Sequence, residues 1–371
     1  MTIDVNAVLD IRRFPKITFL GDGPNEELNP VSCGERVPPL AKVLASQFRS
    51  GDRVGLLYPS EPMLVLSWLA ALHAGLEPLI LHFPNAKQNL STWRTSIDHI
   101  VRKVQLAGLI CSPGVDAPSI PACRMLYLAE DPAAGKNGSP LAALPAKAPV
   151  LQMSSGTTGH RKPIRFTLEQ IAAHVIDYNE STRFHAGDRI VSWLPLYHDM
   201  GFIACFVMPL MLGIPVIMMD PMTWIRDPKR LFQAIFNHKA TTCYMPNFGF
   251  EVLAKHADGQ TFPTMRRWIS CSEPVYPATM KRFAATTGTS HESLSACYAM
   301  AENVFAVTYR EGLNLLDFDG RPVTSCGRPI PNTQLKIVDG EIWVRSPSSL
   351  TAYLDDAPVT DDAGFYPTGR S

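Results

Sequence analysis

The sequence has no excess of charge of either sign and no closely paired cysteines. Its 34 lysines and arginines balance 34 aspartates and glutamates, so nucleic acid is not an expected partner, because binding a phosphate backbone requires a surplus of positive charge. The absence of any C-x-x-C spacing excludes the usual zinc and dithiol motifs. The cysteines stand singly, at Cys33, Cys111, Cys123, Cys205, Cys243, Cys271, Cys297 and Cys326. We expect reduced, mostly buried thiols, as in a cytosolic protein.

The sequence also lacks an export signal and an uninterrupted membrane span. Its N-terminus has no basic stretch followed by an apolar run, which a signal peptide requires, so a cytoplasmic protein is expected. Residues 200–219 carry no charge and are long enough to cross a bilayer. Pro209, Gly213 and Pro215 interrupt them. The pattern therefore favours a buried helix over residues 203–212 and a buried strand after it.

A repeated order of elements is present instead. The 371 residues, of which 46% are hydrophobic, are too many for one ordinary domain. Residues 51–58 are predicted to form a strand, Ser60 to cap a helix, and residues 78–81 to form the next strand. The same order of strand, helix, glycine turn and strand recurs over residues 187–218. This repetition predicts two related α/β halves with largely parallel sheets.

The predicted fold is α/β with a third, smaller unit at the end. We expect a first α/β subdomain over residues 1–180, a second over 181–313 and a small antiparallel β-barrel-like subdomain over 314–369. Apolar and polar residues alternate on both sides of Asp339-Gly340. That pattern is typical of a β-hairpin with a two-residue turn.

The stretch from residue 150 to residue 166 combines an apolar strand, a turn of small residues and a basic end. Glycines and hydroxyl groups allow donors to converge on phosphate oxygens, and a lysine adds positive charge. The residues of this predicted phosphate loop are Ser154, Ser155, Gly156, Thr157, Thr158, Gly159 and Lys162. It differs from a Walker loop, because the next helix begins only after Thr167-x-x-Gln170, a capping box. On composition alone, the alternative is a flexible Ser/Gly hairpin tip.

Four motifs in a fixed order resemble those of the adenylate-forming superfamily, which contains acyl-CoA synthetases, peptide-synthetase adenylation domains, luciferases and fatty acyl-AMP ligases. Residues 154–162 resemble its phosphate loop, and residues 193–201 resemble its second signature in the fatty acyl-AMP ligase form. Residues 270–275 resemble the segment that borders the adenine, and residues 297–302 resemble the aromatic-to-glutamate motif. The similarity covers most of the chain and implies the N-terminal domain of that superfamily.

The resemblance implies that the chain joins a carboxylic acid to AMP from ATP, with Mg²⁺ as cofactor and pyrophosphate as product. Since a carboxylate is already ionised near neutral pH, the reaction needs charge neutralisation and positioning more than a general base. Lys162, Glu302 and His198 are implied as catalytic residues. Glu302 would bind Mg²⁺, and His198 would lie where the acid meets the α-phosphate. Outside such motifs, a single glutamate or histidine more often has a structural role.

The resemblance also implies two pockets. The nucleotide site comprises the phosphate loop together with Ser272, Glu273, Pro274, Cys297, Tyr298, Ala299, Met300 and Ala301, with Tyr298 against the adenine. The acyl pocket comprises His198, Asp199, Met200, Gly201, Asn247, Phe248 and Ala299. The superfamily usually has glycine where Ala299 stands. The added methyl group predicts a compact acid, short, cyclic or aromatic, instead of a long fatty chain.

Two parts of the chain depart from the superfamily's pattern. Arg161 and Pro163 replace the proline and glycine that usually flank Lys162. Residues 365–369 match the start of the ribose-binding signature, but Arg370 stands where aspartate is expected, and arginine cannot accept hydrogen bonds from ribose. The resemblance implies a further C-terminal domain, which carries a catalytic lysine and is absent from this sequence. Without that donor, adenylation is expected to be slower by on the order of 10²–10³.

Three functions are compatible with these motifs. The favoured one is an acyl-AMP ligase that passes its acyl group to the phosphopantetheine thiol of an acyl carrier protein. The second is transfer of the acyl group to CoA or to an amine, as in acyl–amino acid ligases of the superfamily. The third is a non-catalytic adenylate-binding module, against which the retained Lys162 and Glu302 argue.

Overall fold

Helices and strands alternate along the described part of the chain. The computed structural model describes residues 9–85, 88–128, 143–154, 162–354, 356–357 and 359–370. The helices are α1 (Pro30–Gln47), α2 (Pro62–His73), α3 (Leu90–Val104), α4 (Leu168–Thr182), a π-helical segment (Met200–Val207), α5 (Met208–Leu212), α6 (Pro221–Arg226), α7 (Lys229–His238), α8 (Asn247–His256) and α9 (Pro277–Thr287). The strands are β1 (Ile17–Leu20), β2 (Glu26–Leu28), β3 (Arg53–Leu57), β4 (Glu77–Ile80), β5 (Gly108–Cys111), β6 (Arg124–Tyr127), β7 (Pro149–Met153), β8 (Pro163–Thr167), β9 (Ile190–Ser192), β10 (Val216–Met219), β11 (Thr242–Met245), β12 (Arg267–Ser270), β13 (Leu294–Ala299), β14 (Ala306–Arg310), β15 (Leu315–Phe318), β16 (Arg321–Thr324), β17 (Arg328–Pro329), β18 (Gln334–Val338), β19 (Glu341–Arg345) and β20 (Tyr366–Pro367).

Two large sheets dominate the structure. One has six strands in the order β6-β5-β3-β4-β7-β8, and the other has nine in the order β17-β14-β13-β12-β11-β9-β10-β1-β2. Their central strands are parallel, whereas the outer strands β8, β2 and β14 run antiparallel to a neighbour. The predicted α/β architecture with largely parallel sheets is therefore confirmed.

The two sheets repeat one topology. β3 and β4 are adjacent parallel strands joined by α2, and β9 and β10 are adjacent parallel strands joined by the π-helical segment and α5. In each sheet the second strand of this unit pairs in parallel with an antiparallel hairpin, β7–β8 in one and β1–β2 in the other. Gly75 and Gly213 end the two connecting helices with φ of 74° and 67°, a conformation that favours glycine. The prediction of two related halves is confirmed.

The sheets do not follow the continuous ranges expected from the sequence. β1 and β2 fall in the expected first unit, residues 1–180, yet they lie in the sheet formed by strands of residues 181–313. Likewise β17, from residues 314–369, pairs with β14 of that sheet. Sheet membership therefore crosses the expected ranges at these three strands. The cause is long-range pairing, which leaves no local sequence signal: Ile17 lies opposite Val216.

Helix ends show where local signals decide the structure. The N–H of Gln170 donates to Thr167 Oγ1 over 3.2 Å and the N–H of Thr167 donates to Gln170 Oε1 over 2.9 Å, so the predicted capping box of α4 is confirmed. At α2 the N-cap residue is Glu61, and the prediction of Ser60 is wrong. The backbone N–H of Ser60 donates instead to Asp220 Oδ2 over 3.2 Å, which ties this corner to the other half of the molecule.

The core contains two apolar helices, one from each half. Every residue of α2 from Pro62 to Leu72 is buried. The Trp68 ring meets Phe202 and Phe206 of the π-helical segment edge to face, with centroids 5.7 and 5.4 Å apart. Such contacts each contribute about 0.5–1.5 kcal/mol beyond area burial. The uncharged stretch is thus core, and no helix of the described residues combines the length and apolarity needed to cross a membrane.

Two small antiparallel sheets follow. β15 pairs with β16, and β18, β19 and β20 form a three-stranded sheet. Asp339 and Gly340 connect β18 to β19 with φ of 51° and 83°, as a type I′ turn requires. The hairpin prediction is confirmed. The small antiparallel β structure expected after the two α/β units is therefore present, as two sheets.

Candidate active site

The predicted phosphate loop connects the antiparallel strands β7 and β8. Its two ends are held together, because the N–H of Ser154 donates to the Lys162 carbonyl over 2.8 Å and the N–H of Lys162 donates to Ser154 Oγ over 3.0 Å. Ser154 is buried. The remaining predicted loop residues, Ser155, Gly156, Thr157, Thr158 and Gly159, lie outside the described residues.

Tyr353 brings the two predicted charged residues of the site together. Lys162 Nζ lies 4.4 Å from the centroid of the Tyr353 ring. The hydroxyl of Tyr353 donates to Glu302 Oε1 over 3.0 Å and lies 2.6 Å from the hydroxyl of Tyr366. An ammonium group and a carboxylate from distant parts of the chain therefore contact the same aromatic residue.

His198 and Asp199 form a close side-chain pair at the start of the π-helical segment. His198 Nδ1 lies 2.7 Å from Asp199 Oδ1, and the N–H of Met200 donates to the same oxygen over 2.8 Å. Burial raises the pKa of Asp199, but His198 and this N–H outweigh burial and hold the pKa below its ordinary value. Asp199 thus stays ionised and orients the imidazole. The His198 side chain remains 34% exposed, so it is the accessible member of the pair.

Gly201 is required by a close backbone approach. A Cβ placed on it would lie 2.3 Å from the Pro195 carbonyl oxygen and 3.1 Å from that of Leu194. The same Pro195 oxygen accepts the N–H of His198 over 3.2 Å. The glycine therefore lets the chain fold back tightly enough to place His198 and Asp199 side by side.

The segment predicted to border the adenine is exposed and partly strained. Ser272, Glu273 and Pro274 are exposed. Ser272 has φ of 68°, an uncommon conformation for a residue other than glycine. Glu273 Oε2 accepts the N–H of Phe248 over 3.1 Å and so caps the start of α8. The segment is thereby fixed to the predicted acyl-pocket residues of α8.

The predicted acyl-pocket residues Asn247 and Phe248 differ in their surroundings. Asn247 is buried, and its amide accepts the N–H of Tyr276 over 3.1 Å and donates to Thr279 Oγ1 over 3.3 Å. This amide braces the loop. Phe248 is 44% exposed, and its ring meets the stacked Trp193–Trp224 pair edge to face. Phe248 is therefore the one of the two with surface to offer a ligand.

Tyr298 and Glu302 are the two residues of the aromatic-to-glutamate motif that are not fully buried. The Tyr298 ring is half-buried and lies 5.7 Å from the guanidinium carbon of Arg370. Its neighbours in the motif are buried, namely Cys297, Ala299, Met300 and Ala301. Their side chains form the wall behind Tyr298, which leaves its ring as the group that a planar ligand could contact.

These elements follow one another in the order of a known family. The AMP-binding enzyme family is matched over residues 11–354. The chain belongs to the AMP-binding enzyme family. This confirms the resemblance to adenylate-forming enzymes and the prediction that the chain is a member of an enzyme family.

Relatives of this AMP-binding enzyme are named as ligases. It is 26% identical over 349 residues to the long-chain-fatty-acid–AMP ligase FadD26 of Mycobacterium marinum, a match that covers 80% of the chain and 58% of that protein. It is 29% identical over 250 residues to the medium-chain-fatty-acid–[acyl-carrier-protein] ligase TtuA of Teredinibacter turnerae, covering 55% of the chain and 38% of that protein. The chain thus spans only part of the length of either ligase.

Solved structures share the fold. A fatty acyl-adenylate ligase of Legionella pneumophila, solved with acyl adenylate and pyrophosphate, superposes with a TM-score of 0.86 at 23% identity. The superposition covers 99% of this chain and 75% of that one. The fold of the AMP-binding enzymes is therefore present over the length of the chain.

The environment of Glu302 fits a magnesium–nucleotide complex. Burial raises the pKa of Glu302 and so does Asp199, while the Tyr353 hydrogen bond and Arg370 act in the opposite direction. A cation would stabilise this carboxylate. No group of three or more histidine, cysteine or acidic side chains converges on one point within the described residues. Mg²⁺ needs none, because it typically takes one or two carboxylates and completes its shell with phosphate oxygens and water.

Three residues of the site were not predicted. Tyr353 donates to Glu302, Tyr366 is hydrogen-bonded to Tyr353, and Gln152 contacts the backbone turn of Glu302. Tyr366 falls in the segment that resembles the ribose signature but has no role implied by the resemblance. No local pattern distinguishes Gln152 or Tyr353, since their partners lie 149 and 51 residues away.

Proposed function

We propose that this AMP-binding enzyme activates a carboxylic acid as acyl-AMP and passes the acyl group to the thiol of a carrier protein. The observation that carries the first step is the shared contact of Lys162 and Glu302 with Tyr353 beside the closed ends of the phosphate hairpin. The names of the two ligases above support the acid and, for the second, the carrier protein.

In the first step a carboxylate oxygen of the acid attacks the α-phosphorus of ATP. A new oxygen–phosphorus bond forms, the bond from the α-phosphorus to the oxygen shared with the β-phosphate breaks, and the electron pair leaves with pyrophosphate. Lys162 neutralises phosphate charge, and His198, oriented by Asp199, supports the charge where acid and phosphate meet. Mg²⁺ held by Glu302 would supply further charge stabilisation. The ionised acid needs no base.

In the second step the carrier thiol attacks the acyl carbonyl. The carbon–sulfur bond forms, the bond to AMP breaks, and the thiol proton is released. In transfer to CoA or to an amine, the CoA thiol or the amine nitrogen attacks the same carbonyl, and the same bond to AMP breaks. A non-catalytic module would bind the adenylate without either step.

The acid itself is proposed to be compact. Ala299 is buried, and its backbone pairs with Ala306 across an irregularity in the β13–β14 ladder. Its methyl group takes space that the superfamily's usual glycine leaves open. Since both ligases compared above are named for fatty acids, a panel of acids must include long, short, cyclic and aromatic members.

The test is acid-dependent ATP–pyrophosphate exchange, followed by mass spectrometry with carrier protein, CoA and amines as competing acceptors. We expect exchange with at least one compact acid and an acyl-carrier product. Glu302→Gln should abolish most exchange, because an amide cannot supply the negative charge for Mg²⁺. Palmitate as the best acid would refute the proposal of a compact acid. CoA thioesters or amides as products would refute the carrier protein as acceptor. No exchange with any acid by the full-length protein would favour the binding module.

A further inference from the structure

Gln152 links the phosphate hairpin to the turn that bears Glu302. It lies in β7, two residues before Ser154, and is 6% exposed. Its Nε2 donates to the carbonyl oxygens of Ala301 over 3.0 Å and Val304 over 3.2 Å, which stand on either side of Glu302 and Asn303. β7 belongs to the six-stranded sheet, and β13, which leads into the turn, belongs to the nine-stranded sheet. One amide group therefore joins the two sheets at the site.

The turn that Gln152 contacts is strained. Val304 has φ of 62° and ψ of −58°, and the N–H of Phe305 donates to the Asn303 carbonyl over 2.6 Å. This is a γ-turn of the unfavourable hand, centred on a β-branched residue, a combination that surrounding contacts must hold in place. The position of the Glu302 backbone thus depends on what braces the turn.

Contacts from the small β region brace the opposite side of the turn. The N–H of Leu350 donates to the Glu302 carbonyl over 2.7 Å. Asn303 Oδ1 accepts from Ser349 Oγ over 2.8 Å and from Ser346 Oγ over 2.5 Å. Gln152 is therefore the contact through which the phosphate hairpin, and not the C-terminal segment, fixes the turn.

The Gln152 side chain is used as a donor. Its Oε1 is buried and has no hydrogen-bond partner within the described residues. A buried acceptor left unpaired is unfavourable. The two hydrogen bonds of Nε2 explain why glutamine stands here. An apolar side chain of the same size could not donate them, and an ionised glutamate would repel the two carbonyl oxygens.

We propose that Gln152 is a positioning residue. It fixes the turn that bears Glu302 relative to the phosphate hairpin, so that the carboxylate and the hairpin can bind the same Mg·ATP. The inference rests on the proposed function. It predicts a defect that depends on the metal, because Gln152 acts on the backbone turn of the residue that would bind Mg²⁺.

The test compares Gln152→Leu and Gln152→Glu with Thr287→Val. Thr287 is equally buried, and its hydroxyl bonds the Phe283 carbonyl over 2.7 Å at the end of α9, so its loss is a matched structural control. Two measurements are made on each protein: hydrogen–deuterium exchange of a peptide spanning residues 300–306 without ligand, and calorimetric ATP binding over a range of Mg²⁺ concentrations.

Both Gln152 variants should speed exchange in the turn, where the N–H groups of Asn303, Val304 and Phe305 are bonded in the wild type. They should raise the half-saturating Mg²⁺ concentration by roughly 10- to 100-fold, the usual effect of removing a group that orients a metal ligand. Affinity for ATP without Mg²⁺ should stay within about twofold. Thr287→Val should change neither quantity.

Unchanged exchange in the turn would overturn the inference, and so would faster exchange with an unchanged Mg²⁺ requirement, since Gln152 would then be structural only. Loss of ATP affinity to the same extent with and without Mg²⁺ would also overturn it. A wild-type protein that binds no Mg·ATP would instead refute the proposed function, and the exchange comparison would still decide whether Gln152 braces the turn.

Discussion

Replacing Gly201 with alanine tests whether the His198–Asp199 pair depends on a tight backbone return. The added Cβ would lie 2.3 Å from the Pro195 carbonyl oxygen and 2.9 Å from its carbonyl carbon. Both distances are far inside van der Waals contact, and the obstructing atoms are backbone, which cannot rotate away. Either the π-helical segment or the loop before it must move.

The expected cost follows from this geometry. Overpacking of a buried site typically costs about 1–3 kcal/mol, so Gly201→Ala should lower the free energy of unfolding by about that amount. Gly34 provides the matched control, since it lies inside α1 and an added Cβ would meet no atom within 4 Å. There alanine removes a flexible residue from a helix and should raise stability by about 0.5–1 kcal/mol.

Urea unfolding of both variants is followed by circular dichroism. The difference in unfolding free energy is obtained from the transition midpoints, with the dependence of that free energy on urea unchanged. Because Pro195 accepts the N–H of His198, Gly201→Ala should also reduce acid-dependent pyrophosphate exchange, while Gly34→Ala should retain it. The reasoning would be refuted if the two alanine variants had equal stability and equal exchange.

Three further outcomes are expected. Lys162→Met should reduce the rate of acyl-adenylate formation by on the order of 10²–10³, as for the loss of one charge-stabilising donor, measured by single-turnover quench. Tyr353→Phe keeps the ring beneath Lys162 but loses the hydroxyl bond to Glu302, so a Mg²⁺ titration should show a higher requirement with ATP affinity nearly unchanged. Burial raises the pKa of Glu61 to about 7 from its ordinary 4.5, so the folded state binds the proton more tightly. The stability that the protonated Glu61 carboxyl contributes is fully present below about pH 4.5 and is lost as the pH rises through about 7. Glu61→Gln should therefore make the urea midpoint less dependent on pH between pH 5 and 8. The same dependence on pH in both proteins would contradict this.

Signals within a few residues of each other were sufficient for parts of the fold. The capping box of Thr167 and Gln170 and the turn at Asp339-Gly340 each form from adjacent residues, so their chemistry alone fixes the conformation. The repeated order of strand, helix, glycine turn and strand likewise predicted two related halves. Sheet membership was not predictable in this way, because the pairing of Ile17 with Val216 joins segments whose own composition is compatible with either sheet.

The same distinction applies to the site. The motifs identified Lys162, Glu302 and His198 as functional candidates, but not which groups hold them. Tyr353 and Gln152 act through contacts across 51 and 149 residues of chain, and nothing in their local sequence indicates a partner. Asn247 is a similar case, since its side-chain amide accepts the N–H of Tyr276 and donates to Thr279 at the start of α9, contacts that its local sequence does not indicate.

The two halves share one topology but differ at the hairpin where the phosphate loop is predicted. The hairpins β7–β8 and β1–β2 occupy equivalent places in the two sheets. At the end of the first stands Lys162, whose ammonium group lies over an aromatic ring near the site. In the turn of the second stands Asp22, whose carboxylate pairs with Arg226 over 2.8 Å and Arg230 over 2.5 Å. Asp22 thus neutralises part of the charge of these two arginines. The two equivalent hairpins therefore carry different chemistry, a lysine over an aromatic ring in one and an aspartate paired with two arginines in the other, and only the first contains the small-residue motif predicted to bind phosphate.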